Sequence, residues 1–424
     1  MIFYKKLYAC IAIATLISTL LQGISQNTQA AADPLLVIVL MVKNEEQVIE
    51  ATLKPYVDAG IESFLIFDTG STDDTVTITK KYFEENNVTS GFIEQEPFID
   101  FATSRNRALA LAQEKFPHAE FMLMPDAEWY MHNVQELIAF CESEQQKTEP
   151  AYLVRIGDDN FEFYTPRLLR CSSDVKFVGA IHEVPNHIAS QKVPASAYFE
   201  LRASAAGREK SAQRWLRDAK ILQKRYDENP YDSRNVFYLA QTYACLGDWE
   251  QAYKYYWERT RLTGWAEEDY VACYKLAGSI ENLSYKKNSM SWTEALHYYL
   301  QAYEKRPQRA EPLIKIAQHY LDAESMHLAF CFARQACSID YPKDDILFVE
   351  KELYDYVRYD ILGRCAWYVG QYSIGEEAVG AALNARPEME HLRKNLAFYV
   401  NRRANLEEQV CKTSQNENYQ ASFS

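Results

Sequence analysis

The sequence has no excess of positive charge: 45 Lys and Arg stand against 59 Asp and Glu, for a formal net charge of −14. That excludes nucleic acid as the main partner, because a phosphate backbone needs a basic face. It also disfavours an anionic membrane surface, but leaves room for a local basic pocket that takes a diphosphate. No CxxC pair and no Cys/His ligand spacing occurs among the nine cysteines, so the chain carries no signature of a zinc site. The glycine-rich loop that nucleotidyl transfer would need after the first strand is missing, and Lys43-Asn44-Glu45 stands there instead. The apolar run at residues 7–21 is short for a membrane span.

That run belongs to a leader. Lys5 and Lys6 precede it, and a polar stretch with Ala30-Ala31-Ala32 follows, which is the pattern of a secretory signal peptide. Residues 1–32 are expected to be a cleaved signal, with an uncleaved anchor as the alternative. The protein is then exported or membrane-anchored, and cytoplasmic only if the leader does not function. Eight of the cysteines lie outside this leader, an even number that permits disulfides in an exported chain. The helical positions of Cys245, Cys273, Cys331, Cys337 and Cys365 favour buried free thiols instead.

At 424 residues the chain exceeds one ordinary core, and 48% hydrophobic with 25% charged residues reads as globular, so two domains are expected. Residues 35–42 form an unalternating apolar run, the mark of a strand buried on both faces. A helix over 45–60 follows, then a strand at 63–67 stopped by Asp68-Thr69-Gly70-Ser71. Asp73 and Asp74 suit the first turn of the next helix. A weaker strand near 91–94, a helix over 102–115 and a strand at 120–124 complete an alternating α/β pattern. In such sheets ligands sit at the carboxyl ends of the strands, where the polar clusters 43–46, 68–74 and 126–128 fall.

From residue 211 to 404 the composition turns to helices rich in Ala, Tyr and Leu. Ala240 to Ala252 and Ala317 to Ala329 are each separated by 12 positions, and Ala295 to Ala302, Ala329 to Ala336 and Gly375 to Ala382 by 7. Ala295 to Ala329 spans 34, the tetratricopeptide period. Small residues are needed where the two helices of a hairpin touch. The longer steps, 43 from Ala252 to Ala295 and 46 from Ala329 to Gly375, imply insertions in two units. The tail 405–424 is polar and expected to fray.

A transferase acting on a nucleoside diphosphate sugar must hold the base, neutralise the diphosphate and stabilise a departing anion. Hard oxygen ligands holding Mn or Mg suit the last task. Asp126 and Glu128, at i and i+2 just past a buried strand, can reach one cation.

The stretch LVIVLMVKNEEQVIEATLKPYVDAGIESFLIFDTGSTDDTV resembles the opening of family-two glycosyltransferases of the GT-A fold. PFIDFATSRNRALALA, FMLMPDAEWY and PRLLRCSSDVKFVGAIHEVP resemble later segments of a bacterial branch often joined to tetratricopeptide repeats. The resemblance covers about residues 35–185. It implies a doubly wound nucleotide-sugar-binding domain over 33–205, followed by an all-α array. It implies further that Asp68, with Asn44 and Asp73 beside it, meets the nucleotide, and that Arg105 lies near the phosphates. Asp126 and Glu128 would bind the divalent cation and sugar diphosphate. His182 or Glu183 would stand by the acceptor, Glu183 being the choice for general base if transfer inverts. The implied activity is transfer of a sugar from a nucleoside diphosphate to a protein or glycan hydroxyl, the acceptor held by the repeats. Two departures, Glu128 for the family's second aspartate and Pro125 before Asp126, motivate the alternative of a degenerate domain whose repeats act as a protein-binding scaffold.

Overall fold

The structure, a computed structural model, describes residues 33–158, 161–179, 181, 183–187, 189, 191–202, 205–287 and 291–421. Residues 1–32, where a leader is expected, lie outside the described residues. Among the described residues no helix is long and apolar enough to cross a membrane.

The N-terminal half opens with β1 (Leu36–Val42), α1 (Ile49–Asp58), β2 (Ser63–Asp68), α2 (Thr75–Glu85), β3 (Ser90–Gln95), α3 (Phe101–Lys115) and β4 (Phe121–Leu123). Strand β1 is buried along almost its whole length because helices cover both faces, which is why its apolar residues do not alternate. Ile49, Leu53 and Tyr56 of α1 pack on one face, and Ala108, Leu111 and Ala112 of α3 on the other.

Beyond β4 the architecture departs from the expected GT-A doubly wound sheet, and that expectation is overturned. The chain continues through β5 (Trp129–His132), α4 (Val134–Glu144), β6 (Ala151–Gly157), β7 (Glu162–Arg170), the short pair β8 (Phe177–Val178) and β9 (Val184–Pro185), and β10 (Tyr198–Leu201). The eight-stranded sheet has the order β3-β2-β1-β4-β7-β6-β10-β5. Strands β3, β2, β1 and β4 run as a parallel group; beyond them β4–β7, β7–β6 and β10–β5 are antiparallel, and β10–β6 is a second, separate parallel pair. The short 158–161 connection forces β6 and β7 into a hairpin, since a parallel partner would need a long crossover. Helices dominate the rest of the chain, as α5 (Ala205–Glu228), α6 (Ser233–Cys245), α7 (Trp249–Arg259), α8 (Ala266–Lys287), α9 (Trp292–Lys305), α10 (Glu311–Asp322), α11 (Met326–Cys337), α12 (Arg358–Tyr368), α13 (Tyr372–Ala385) and α14 (Glu390–Ala421).

This second half is a tetratricopeptide-like array. Helices pair in sequence as antiparallel hairpins α6/α7, α8/α9, α10/α11 and α12/α13. The alanines at the repeat spacing, Ala240, Ala252, Ala295, Ala302, Ala317, Ala329, Ala336 and Ala382, are fully buried where the helices meet. Gly363 and Gly375 allow closer approach: a methyl on Gly363 would strike the Val379 side chain, and one on Gly375 the Tyr399 hydroxyl. Helix α14 continues through most of the polar tail, to Ala421. Of the described cysteines all seven are free, but only Cys141, Cys273 and Cys365 are buried, so the expectation of core thiols holds for part of the set.

The longer step between Ala329 and Gly375 has a structural purpose. Strand β4 is short and pairs only with the Leu168–Arg170 end of β7, which leaves the other half of β7 with an open edge. The insertion after α11 takes that edge: Glu162 N donates to Val349 O and Val349 N to Glu162 O, both at 3.0 Å, and Tyr164 N donates to Ile346 O at 2.9 Å. Tyr341 donates its hydroxyl to Glu162 Oε1 at 2.6 Å. Arg309, almost fully buried, holds the insertion from the array side, donating to Asp345 Oδ2 at 3.1 Å, Leu347 O at 3.3 Å and Phe348 O at 3.0 Å. Sheet and array are thereby joined by main-chain hydrogen bonds, not by a linker alone.

Candidate functional site

At the carboxyl ends of β1 and β2 the predicted nucleotide residues form a local lattice. Asp68 ends β2 fully buried, accepting from Ser71 N at 3.0 Å and Gln95 Nε2 at 2.9 Å. Asn44, in the left-handed region at φ 58°, accepts from Thr72 N at 2.7 Å, and its own N–H donates to the Ser71 hydroxyl at 2.8 Å. Asp73 accepts from Thr75 N at 3.1 Å and Glu46 N at 3.3 Å. Burial works to raise the Asp73 pKa, but the hydrogen bond from the Thr75 hydroxyl, with those from Thr75 N and Glu46 N, outweighs it and holds the group below the ordinary carboxylate range. Each of these side chains therefore already performs the turn-bonding task open to any Asp or Asn in such a loop, and together they tie the β1–α1 loop to the β2–α2 loop.

A second constellation lies one step across the sheet. Asp126 follows β4, and its turn is pinned by Trp129 N donating to Asp126 O at 3.0 Å and by the Thr52 hydroxyl bonding to Ala127 O. Arg105 rises from α3, only 3% exposed, and forks between two carboxylates: Nη2 donates to Asp126 Oδ1 at 2.6 Å and Nε to Glu183 Oε1 at 2.5 Å. Arg167 of β7 lies on the far side, its Nη2 3.7 Å from Asp126 Oδ2 and its guanidinium 4.9 Å from the Trp129 ring centroid. Two arginines from distant segments, Arg105 and Arg167, thus converge on Asp126, and Arg105 ties Glu183 to the same cluster.

The electrostatics follow from this crowding. Burial alone would raise the Asp126 pKa, but the guanidiniums of Arg105 and Arg167 outweigh it and hold the carboxyl below its ordinary range. Burial likewise disfavours the Arg105 charge, and Asp126 and Glu183 more than restore it. Arg167 is the opposite case. Burial, reinforced by the charge of Arg105, pushes its pKa down to about 10. Among the described residues its buried Nε and Nη1 have no hydrogen-bond partner, nor does Arg105 Nη1.

Asp126, Arg105, Glu183 and Arg167 line one wall of a cleft of about 450 Å³ between the sheet and the helical array. Its other wall carries Arg214, Trp215 and Asp218 of α5 and Tyr238 of α6, and the insertion supplies Phe348. Burial raises the pKa of Asp218, against the pull of Arg214 and Arg217. Of the residues expected to act, Arg105, Asp126 and Glu183 are brought together here. Asp68, Asn44, Asp73 and Glu128 do not line the cleft, and His182 lies outside the described residues. Arg167 was missed although it sits in the PRLLR segment, because nothing in a strand's sequence tells which arginine will be buried. Asp218 and Arg214 were missed because only the packing of α5 carries them to the sheet.

The donor set does not fit a protein-held Mn or Mg ion. Both oxygens of Asp126 face guanidiniums, and among the described residues no three His, Cys, Asp or Glu side chains gather as a cation cage.

No protein-family profile matches the chain, and no curated protein matches it. Tetratricopeptide proteins are among the solved structures that match. The C-terminal part of a TPR repeat-containing protein from Cytophaga hutchinsonii is 12% identical, with 45% of this chain covering 66% of that one at a TM-score of 0.36. YrrB, described as a TPR protein with an unusual peptide-binding site, is 15% identical over 44% of this chain and 86% of its own, with a TM-score of 0.35. A thermophilic TPR protein from Thermus thermophilus is 16% identical over 45% and 93%, with a TM-score of 0.31. The chain spans just under two thirds of the Cytophaga chain. The array's assignment rests on its own hairpins and buried alanines.

Proposed function

We propose that the protein transfers a sugar from a nucleoside diphosphate sugar to an acceptor hydroxyl, with the acceptor entering through the cleft between sheet and array. The observation that carries this reading is the convergence of Arg105, Asp126 and Glu183, drawn from three distant segments, at the mouth of a parallel strand group where ligands of open α/β sheets bind. The donor lies along the strand ends, its nucleoside toward Asp68 on β2 and its sugar toward Asp126 beyond β4, two strands away. At ~4.8 Å per strand that separation is about 10 Å, a span suited to the diphosphate between them.

The acceptor oxygen bonds to the anomeric carbon as the bond from that carbon to the diphosphate oxygen breaks. The electron pair leaves with the nucleoside diphosphate. The acceptor's proton passes to the carboxylate of Glu183, which Arg105 holds in place through Oε1. Arg105 keeps both carboxylates in register and places positive charge beside the leaving group. A divalent ion supplies charge neutralisation where a donor brings one, and no step here depends on it.

Calorimetry of the purified chain with UDP, GDP and their sugar conjugates, with and without Mg or Mn, tests the proposal. Binding in the micromolar to millimolar range, with sugar release lost in Glu183→Gln, is expected. If no nucleotide binds, the reading falls. The second reading, favoured by the double neutralisation of Asp126, is a protein-binding scaffold in which the helical array is the working part.

A further inference from the structure

Arg167, on the wall of the cleft, is a buried cation only partly satisfied by the described residues. Arg167 is 7% exposed, and among the described residues its Nε and Nη1 have no hydrogen-bond partner. Its ion pair with Asp126 is long, at 3.7 Å, and Asp126 gives its close contact to Arg105 instead, at 2.6 Å. A buried guanidinium normally meets hydrogen-bond acceptors on most of its N–H groups, because water is not there to do so. Arg167 instead has aromatic faces, Trp129 at 4.9 Å and Phe177 at 5.7 Å, which favour a cation but accept no strong hydrogen bond.

Its position in the sheet says which substrate it would serve. Across the strands the order β2-β1-β4-β7 places Asp68, Asn44, Asp126 and Arg167 in sequence. The nucleoside end of the proposed donor lies toward Asp68, so Arg167 stands on the other side of Asp126, where the acceptor must be. The facing wall comes from α5 and α6: Arg214 adds a second positive charge, and Trp215 and Tyr238 add flat apolar faces with polar edges. An anionic group held by guanidiniums beside aromatic rings is the chemistry that recognises an acidic sugar.

We infer that the cleft is an acceptor subsite for a saccharide bearing a carboxylate or phosphate, with Arg167 as its anion-binding residue and Arg214 as a second contact from the helical array. This deepens the transferase reading above and depends on it for the word acceptor. The array then contributes directly to substrate selection, and does more than hold the sheet.

Ligand-observed NMR and calorimetry with methyl β-glucuronide, glucose 6-phosphate and neutral methyl β-glucoside test the inference on the full chain, with UDP titrated separately. The acidic sugars should bind at least tenfold more tightly than the neutral one, and the comparison between glucuronide and phosphate tells which anion the site prefers. Arg167→Met should erase the tenfold difference while UDP binding stays unchanged. Should that variant fail to fold, Arg214→Ala, at an exposed position, should still reduce the preference severalfold. Equal binding of neutral and acidic sugars overturns the inference, as does preference for an acidic hexaglutamate peptide over both acidic sugars. Displacement of glucose 6-phosphate by UDP also overturns it, since the anion site would then belong to the donor. Absence of UDP binding with the acidic-sugar preference intact instead sinks the transferase reading alone.

Discussion

Replacing Arg105 by methionine removes a guanidinium while keeping much of its volume, and the structure tells what should follow. Arg105 is 3% exposed and pairs with Asp126 and Glu183, whose side chains are 38% and 9% exposed. Asp126 faces the cleft and keeps Arg167 and solvent, so it suffers little. Glu183 is nearly enclosed and loses the partner of Oε1. Removing one member of a buried ion pair costs about 3–5 kcal/mol, mostly because the other charge stays buried and uncompensated. One strongly affected carboxylate puts the loss near the lower end, at about 3 kcal/mol. Guanidinium unfolding followed by tryptophan fluorescence measures it, with Trp129 reporting close to the site. If orphaned charge is the cause, adding Glu183→Gln should recover at least a third of the loss, a coupling that a double-mutant cycle isolates. A loss below about 1 kcal/mol in the single variant, or no recovery in the double, would refute the reasoning and mean that the fork is dispensable for holding the site.

Acid should act on the same cluster. The folded-state pKa of Asp126 lies below its unfolded value of about 3.9, so its stabilising contribution is complete above that pH and is lost as pH falls through the depressed value; acid unfolding of the wild type should therefore begin at lower pH than that of Arg105→Met. Gly363→Ala drives a methyl into Val379 between α12 and α13 and should cost about 1–3 kcal/mol, partly relieved by Val379→Ala, as thermal unfolding by circular dichroism will show. Arg309→Met leaves Glu311 buried without its cation and Asp345 with Arg306 alone, and should cost about 3 kcal/mol, with limited proteolysis opening first within the insertion at 341–350.

Much of the first half could be read from the chain. The unalternating run at 35–42 meant a strand covered on both faces, and it is β1; the strands and helices up to residue 123 fell within a few residues of their expected bounds. The alanine spacing announced the hairpins, and those alanines are the ones buried at the helix contacts. The reading failed from residue 129 to 201. There the strands are short or broken in pattern: Pro166 interrupts β7, Arg155 and Arg167 lie among apolar neighbours, and β5 and β10 span four residues each. Such segments carry too little periodicity to be assigned, so the antiparallel extension of the sheet stayed hidden and a doubly wound GT-A sheet was expected in its place.

The site divides in the same way. Asp68, Asn44, Asp73 and Asp126 were marked by position, because a polar residue following a buried strand is a local fact of the chain. Their partners are not local. Arg105 reaches Glu183 across 78 positions, and Tyr341 reaches Glu162 across 179. Whether a carboxylate ends as a ligand, a turn cap or half of an ion pair depends on which charge burial brings beside it. Sequence periodicity alone determined the parallel strand group and the helical hairpins, since both arise from patterns repeated every few residues. Only tertiary packing decided that β7 would have an open edge, that the insertion after α11 would fill it, and that Arg167 would be enclosed beside Asp126 with two of its nitrogens unmet among the described residues. Those outcomes follow from the low dielectric and fixed geometry of the assembled interior, which no short window of residues encodes.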